Sequence, residues 1–284
     1  MKRAAMMMVT CGMMACGTPS MNTDSGIDAG ELLLIYNASG TVTVHPDAAD
    51  AGHTAALAGL TLRIEEPFRV ASNDPLGLFS TSTLQASGTF SGPFDVELVS
   101  LGVAAGIRDD TADGGRPRVI RAATLLFDRV LEGKKPDRDI TNGRAYAIPT
   151  GFHDTLSAAV GEARIRSLLK FGDGGTLIES GCILGKVVDA QGAPVAGATI
   201  ETKEGTPAKN AERASRFFYP SADYASTGSA TSSNGLFVYV HNGGEVEPPF
   251  RFQILGKPEY KERNAGAVKD ACLVMTVYPG ATAP

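Results

Sequence analysis

Tryptophan is absent from this chain of 284 residues, and histidine and cysteine occur only four times each. With no tryptophan and seven tyrosines, little is available for the flat aromatic platforms on which sugars stack. Acidic residues outnumber basic ones 31 to 26 and no basic cluster stands out, so nucleic acid is excluded as a partner. No G-x-S-x-G elbow, Walker loop, dinucleotide fingerprint or H-E-x-x-H pair occurs. No nucleophile with an adjacent base can be named, so the chain reads as a non-enzyme without a cofactor. Hydrophobic residues nevertheless make up 43%, enough for a packed core. A length of 284 residues suggests two domains, since single cores seldom grow beyond about 250 residues.

The one long apolar run is at the start. Lys2 and Arg3 form a positive n-region, and Ala4 to Ala15 is apolar apart from Thr10. That run is too short to cross a bilayer and suits a signal-peptide h-region. Met13-Met14-Ala15 precedes Cys16, and Gly17 follows. The arrangement resembles the bacterial lipobox, in which a small residue precedes the cut and a cysteine becomes the lipidated first residue. Residues 1–15 are then the signal peptide, which takes Cys11 with it, and Cys16 is the lipidation site, carrying palmitate-type acyl chains. Gly17 stands where aspartate would retain such a protein at the inner membrane of enterobacteria. By resemblance, the address is therefore the outer membrane of the cell envelope, with the domains facing the periplasm or the surface. Thr18 to Gly30 is small, polar and acidic, and 16–30 reads as a flexible tether.

Beyond it the pattern is β. Leu32 to Tyr36 is apolar, Asn37 to Gly40 reads as a turn and Thr41 to Val44 as a strand. Leu60, Leu62 and Ile64 alternate with Thr61, Arg63 and Glu65, the period of a half-buried strand. Residues 84–100 read as two short strands around Gly92-Pro93, residues 119–131 as a strand, and 132–143 as a polar loop. Asp154 to Lys170 is the one helix, with Asp154 as its N-cap and Gly161 as its weak point. Residues 172–175 (GDGG) look like a hinge. Strands follow at Cys182 to Val188, Leu236 to Val240, Phe250 to Leu255 and Cys272 to Tyr278. The expected fold is all-β, with tandem immunoglobulin-like or transthyretin-like sandwiches and one short helix between them. The first module spans 31–175 and the second 180–284.

Two stretches rhyme. Thr41 to Val44, a loop, and Leu57-Ala-Gly-Leu-Thr-Leu62 match Lys186 to Asp189, a turn, and Val195-Ala-Gly-Ala-Thr-Ile200. Each then reaches a turn, a glycine and a phenylalanine, at Ser87-Gly88-Thr89-Phe90 and at Ser233-Asn234-Gly235-Leu236-Phe237. Such self-similarity predicts a duplicated module. The second copy resembles the carboxypeptidase regulatory-like domain, a transthyretin-like sandwich. The resemblance rests on Gly185, Val187, Asp189, Gly192, Pro194, Val195, Gly197, Ala198, Thr231 and Asn234 to Phe237, with asparagine where the family usually has aspartate. It implies a structural or adhesive appendage without protease activity. In the first copy, residues 109–181 have no counterpart in the second.

With Cys11 removed and Cys16 lipidated, Cys182 and Cys272 remain, in the first and last strands of the second module. In an oxidising compartment they are expected to pair. The other candidates are weak. His45 and His53 flank an acidic loop holding Asp47 and Asp50, which is conceivable as a metal site, but the spacing matches no ligand motif and solvated loop residues are the plainer account. His153 beside Asp154 suggests a base with an orienting carboxylate, or simply a helix start. His241 reads as a turn residue. Asp109, Asp110 and Asp113, and more weakly Asp137 and Asp139, offer oxygens for calcium without the regular order of a calcium loop. Together these readings describe an envelope lipoprotein that acts as a structural or protein-binding module. A saccharide-binding or envelope-assembly accessory is the alternative, and it requires an aromatic-lined groove near Phe217, Phe218 and Tyr219.

Overall fold

The computed structural model describes residues 33–67, 78–111, 115–203, 206–244 and 249–280. The first element of the described residues is β1 (Ile35–Val44), which runs unbroken through the stretch that reads as a turn. A bulge between Ala38 and Gly40 absorbs the irregularity. Gly40 is there because a β-carbon would lie 1.9 Å from the Gly143 carbonyl; the glycine marks a close approach, not a turn. A short helix α1 (Pro46–Asp50) follows, then β2 (Thr61–Glu65), β3 (Leu78–Thr83) and β4 (Thr89–Asp95). β4 also passes straight through its Gly-Pro pair. It is the outer strand of its sheet, where a proline without an N–H is tolerated. After a 3-10 turn at Val96–Leu98 come β5 (Gly102–Arg108), β6 (Ala122–Asp128), the single-turn helix α2 (Arg129–Glu132) and β7 (Ile140–Ala147). β7 begins inside the expected polar loop.

The linking segment is helical, but not as one helix. Pro149, not Asp154, precedes α3 (Thr150–Val160), and Gly161 at φ 92° breaks it from α4 (Glu162–Leu168). A third helix, α5 (Leu177–Ser180), opens on a reciprocal capping box between Thr176 and Glu179. The second half then contributes β8 (Cys182–Val187), β9 (Ile200–Thr202), α6 (Pro207–Ala214), β10 (Phe217–Pro220), β11 (Thr227–Gly228), β12 (Leu236–Val240), β13 (Phe250–Ile254), β14 (Arg263–Ala265) and β15 (Cys272–Val277).

The fold is all-β with short helices, and its two halves repeat one plan. β1 pairs antiparallel with β4 and parallel with β7, as β8 does with β12 and β15. The match extends to single hydrogen bonds. The Val42 N–H donates to the Gly88 carbonyl, and the Val187 N–H to the Gly235 carbonyl, at 2.8 Å in both. Gly59 donates to Leu84 and Leu84 back to Leu60; Gly197 donates to Thr231 and Thr231 back to Ala198. Gly88 and Gly235 both sit at φ 70°, with a backbone carbonyl where a β-carbon would go. Only glycine fits both demands. The rhyme in the sequence is thus the shared skeleton of two sandwiches. In the second, Asp189 accepts from the N–H groups of Gln191 and Ala193, and Asn234 accepts from Leu236, so the motif residues are turn-makers.

Each sandwich has its own core. Val42, Leu62, Ile64, Phe94 and Ile107 meet inside the first, and Val187, Phe237, Tyr239, Phe250 and Phe252 inside the second. A third core lies between them. It joins the outer face of the second module's main sheet (Leu184, Leu236, Val238, Val274) to Phe152, Leu156 and Val160 of α3, Ile165 of α4 and Ala48 of α1. β6 and β15 also pair in parallel, Ala122 opposite Cys272 through Thr124 opposite Val274. The result is one nine-stranded sheet, ordered β11-β10-β12-β8-β15-β6-β5-β2-β3, shared by both modules. The segment 109–181 is therefore what completes the first sandwich, with β6 and β7, and what covers the second, with α3 to α5.

Candidate functional site

The expected histidine and carboxylate sites fall largely along this third core, and the fold uses them for itself. His45 precedes α1 and is 3% exposed, so it is no solvated loop residue. Its ring lies edge-on to Tyr146 and stacked on Phe152, with centroids 5.2 and 6.1 Å away. Asp47, two residues on, is 1% exposed. Its carboxylate accepts from Lys186 Nζ of β8 at 2.8 Å and from the Tyr224 hydroxyl at 3.2 Å, and stands 3.5 Å from His45 Nδ1. A carboxylate of the first module is thus met by a cation and a hydroxyl donor of the second. Burial and the adjacent Asp47 push the Tyr224 hydroxyl far above its ordinary range. Asp50 acts on the group only through its charge, which also raises the Tyr224 hydroxyl, and His53 bonds Thr155 Oγ1 at 3.0 Å.

His153, Asp154 and Ser157 look at first like a hydrolytic triad. His153 Nδ1 is 2.9 Å from Asp154 Oδ1, and its Nε2 is 3.4 Å from Ser157 Oγ. Both reactive atoms are already engaged, however. Nε2 accepts the Ile178 N–H at 3.0 Å and Ser157 Oγ accepts the Leu177 N–H at 3.2 Å. Those are first-turn N–H groups of α5, so the pair satisfies the start of a helix. A base whose lone pair is spent on a backbone N–H, with its serine buried, is not poised to act on a substrate.

Both histidines are held neutral. Burial lowers His45 to about 4, against the pull of Asp47, and lowers His153 to about 4, helped by Arg116 and opposed by Glu179. This fixes a pH dependence. The unfolded chain takes up these protons near pH 6.5 and the folded one only near pH 4, so between the two the unfolded state binds more protons. Stability is full above about pH 7 and falls as pH drops through 6.5 towards 4, by up to about 3 kcal/mol per histidine. Denaturant midpoints at pH 7.5, 5.5 and 4.5 should decline in that order, and His45→Phe should flatten the slope. Equal midpoints across the range would contradict it.

The remaining candidates are likewise consumed. The Arg118 guanidinium and backbone N–H hold Asp109 at 2.8–3.0 Å and keep its carboxyl far below the usual range. Arg118 also donates to the Ala56 and Ala58 carbonyls, clipping two loops together. Asp110 pairs with Arg108, Asp137 with Lys134, and Asp139 accepts the Asn37 N–H; Asp113 and Cys16 lie outside the described residues. His241 is buried beyond β12, with Nε2 3.1 Å from the Gly244 carbonyl. Among the described residues no group of three His, Cys, Asp or Glu is placed to hold a metal. Cys182 and Cys272 do pair: they sit opposite each other on β8 and β15, Cα atoms 4.6 Å apart, in a disulfide facing the third core.

Two features escaped the sequence reading. Arg63 and Glu65, on the polar side of β2, are 6% and 3% exposed, with 3.4 Å between Arg63 Nε and Glu65 Oε2. Gly106 leaves room for that carboxylate, and burial raises its pKa. A buried pair on a strand that alternates regularly leaves no mark in the sequence. The other feature is an open groove of about 570 Å³ beside β10, lined by Arg164, Leu168, Ser215, Phe218, Thr227 and Ser229. Its aromatic wall is covered: Phe217 and Phe218, which line it, are each 6% exposed, and the Arg164 guanidinium stands 5.4 Å over the Phe218 ring, while Tyr219 belongs to the second core and not to the groove.

No protein-family model and no curated protein sequence matches the chain. Among solved structures it is similar to a shaft pilin of Lactobacillus rhamnosus GG, at 11% identity over 88% of this chain and 100% of that one, with a TM-score of 0.22. A streptococcal ancillary pilin gives 8% identity over 86% and 68%, with a TM-score of 0.24. The minor pilin of Streptococcus agalactiae gives 11% over 88% and 98%, with a TM-score of 0.23. Likeness at this level carries no statement about activity or partners. Among the described residues no helix is long and apolar enough to cross a membrane.

Proposed function

We propose that the chain is a non-enzymatic envelope lipoprotein, anchored at the outer membrane through Cys16, whose joined sandwiches act as a structural or protein-binding module. One observation carries the non-enzymatic part. The polar groups best suited to chemistry, Asp47, His153, Ser157 and Asp109, are each committed to partners within the fold. What the chain offers outward is a stiff double sandwich, with a shared sheet and a shared core where a hinge was expected at 172–175. The saccharide reading loses support because the aromatic faces it needs are covered. The anchor rests on Lys2-Arg3, the apolar run and Ala15-Cys16-Gly17. In a bacterial host that processes lipoproteins, labelled palmitate should enter the wild-type chain and be absent from Cys16→Ala, which accumulates as precursor. Label persisting in that variant would remove the anchor and the localisation with it.

A further inference from the structure

Exposed apolar side chains are not scattered over this molecule. Seven large ones are well exposed among the described residues, and five of them, Leu33, Leu34, Ile35, Leu98 and Val130, lie at one end of the first sandwich. The neighbourhood is fixed by bonds. The Leu34 carbonyl accepts the Val96 N–H, Ile35 pairs with Asp95, and Leu98 closes the 3-10 turn that begins at Val96. The Arg129 guanidinium donates to the Val99 and Ser100 carbonyls, which brings Val130 alongside. Of the charges nearby, Lys135 pairs with Glu97 and Lys134 with Asp137, while Asp95 accepts the Glu97 N–H. The patch therefore suits an apolar partner. An apolar patch of this kind on a folded surface marks a contact site.

The chain itself says what that contact is. Leu33 leads back to Cys16 through only sixteen residues, which span at most about 60 Å. We infer that this end of the first sandwich rests on the lipid bilayer, with Leu33, Leu34, Ile35, Leu98 and Val130 in the interfacial layer. The inference rests on the reading of Cys16 as lipid-bearing. The anchor keeps the patch at high effective concentration beside the surface, so a patch too small to bind membranes unaided can still dock.

The absence of tryptophan provides a clean test. Leu98→Trp places one indole in the patch, and Leu255→Trp places one at an exposed apolar position in the second sandwich. Each full-length protein, matured and lipidated in a lipoprotein-processing host, is reconstituted into phosphatidylethanolamine–phosphatidylglycerol vesicles with brominated acyl chains. The expected result is flotation of both with the vesicles, with blue-shifted and bromine-quenched emission for Leu98→Trp alone, unchanged by added salt. Flotation with equal, unquenched emission from both positions would overturn the docking and leave the lipoprotein reading standing. A concentration-dependent blue shift of Leu98→Trp in detergent without vesicles would overturn it in favour of a second copy of the chain. Failure of both proteins to float would remove the lipid anchor, and the docking with it.

Discussion

Asp47→Ala is expected to cost 3–5 kcal/mol, as removal of one partner of a buried ion pair generally does, and to lower Tm by about 10 °C for a chain of this size. The variant leaves Lys186, whose side chain is only 20% exposed, without the carboxylate it faces, and leaves the buried Tyr224 hydroxyl without its acceptor. The loss comes mainly from stranding the partners, not from forfeiting a large attraction. Replacing both members should therefore be milder: Asp47→Leu/Lys186→Met is expected to recover at least half of the loss, since apolar residues of similar volume often substitute well for a buried pair. Tyr224→Phe should cost about 1 kcal/mol, the worth of one hydrogen bond. Because the carboxylate belongs to the first module and both partners to the second, tryptic cutting between the modules should accelerate with the loss. A single variant as stable as wild type by urea unfolding would mean that the contact contributes nothing to joining them.

Cys182→Ala/Cys272→Ala should have an effect of similar size. The bridge closes 90 positions of chain, for which the chain-entropy account gives about 4–5 kcal/mol, with any native-state strain subtracting from it. Its place sharpens the expectation. Both cysteines are buried in the third core, and Cys272 also faces Ala122 of β6 across the seam between the modules. Alanine there removes two sulfur atoms from packed space as well as the cross-link. The urea midpoint of the double variant should fall well below that of the oxidised protein, and reductant should bring the wild type down towards it. Coincident curves for oxidised and reduced wild type would show that the bridge does not stabilise the fold.

Much of the sandwich plan was readable, because turns place chemical demands on particular residues. Gly88 and Gly235 each need a positive φ and an empty β-carbon position, so they recur at matched places and expose the duplication. The pairing of Cys182 with Cys272 followed from elimination. What was hidden depends on distance through space. β7 is polar because it is an outer strand of its sheet, so half of it owes nothing to the core. The run 35–44 contains turn-forming residues, and only the Gly143 backbone opposite explains why Gly40 belongs in a strand. His45-Pro46-Asp47 has the composition of a loop, and nothing local announces that Lys186 and Tyr224 will enclose it. The helices had a readable pattern, but their limits were set by Pro149 and by Gly161.

The seam between β6 and β15 sets the timing of folding. Ala122 and its partner Cys272 are 150 positions apart, and parallel pairing at such separation is among the slowest steps available to a chain. The outer edge of β6 stays bare until β15 pairs with it. A bare edge invites strands from other chains. β15 is thus the strand that joins the two sandwiches, and a chain cut short before residue 272 would leave the edge of β6 unpaired.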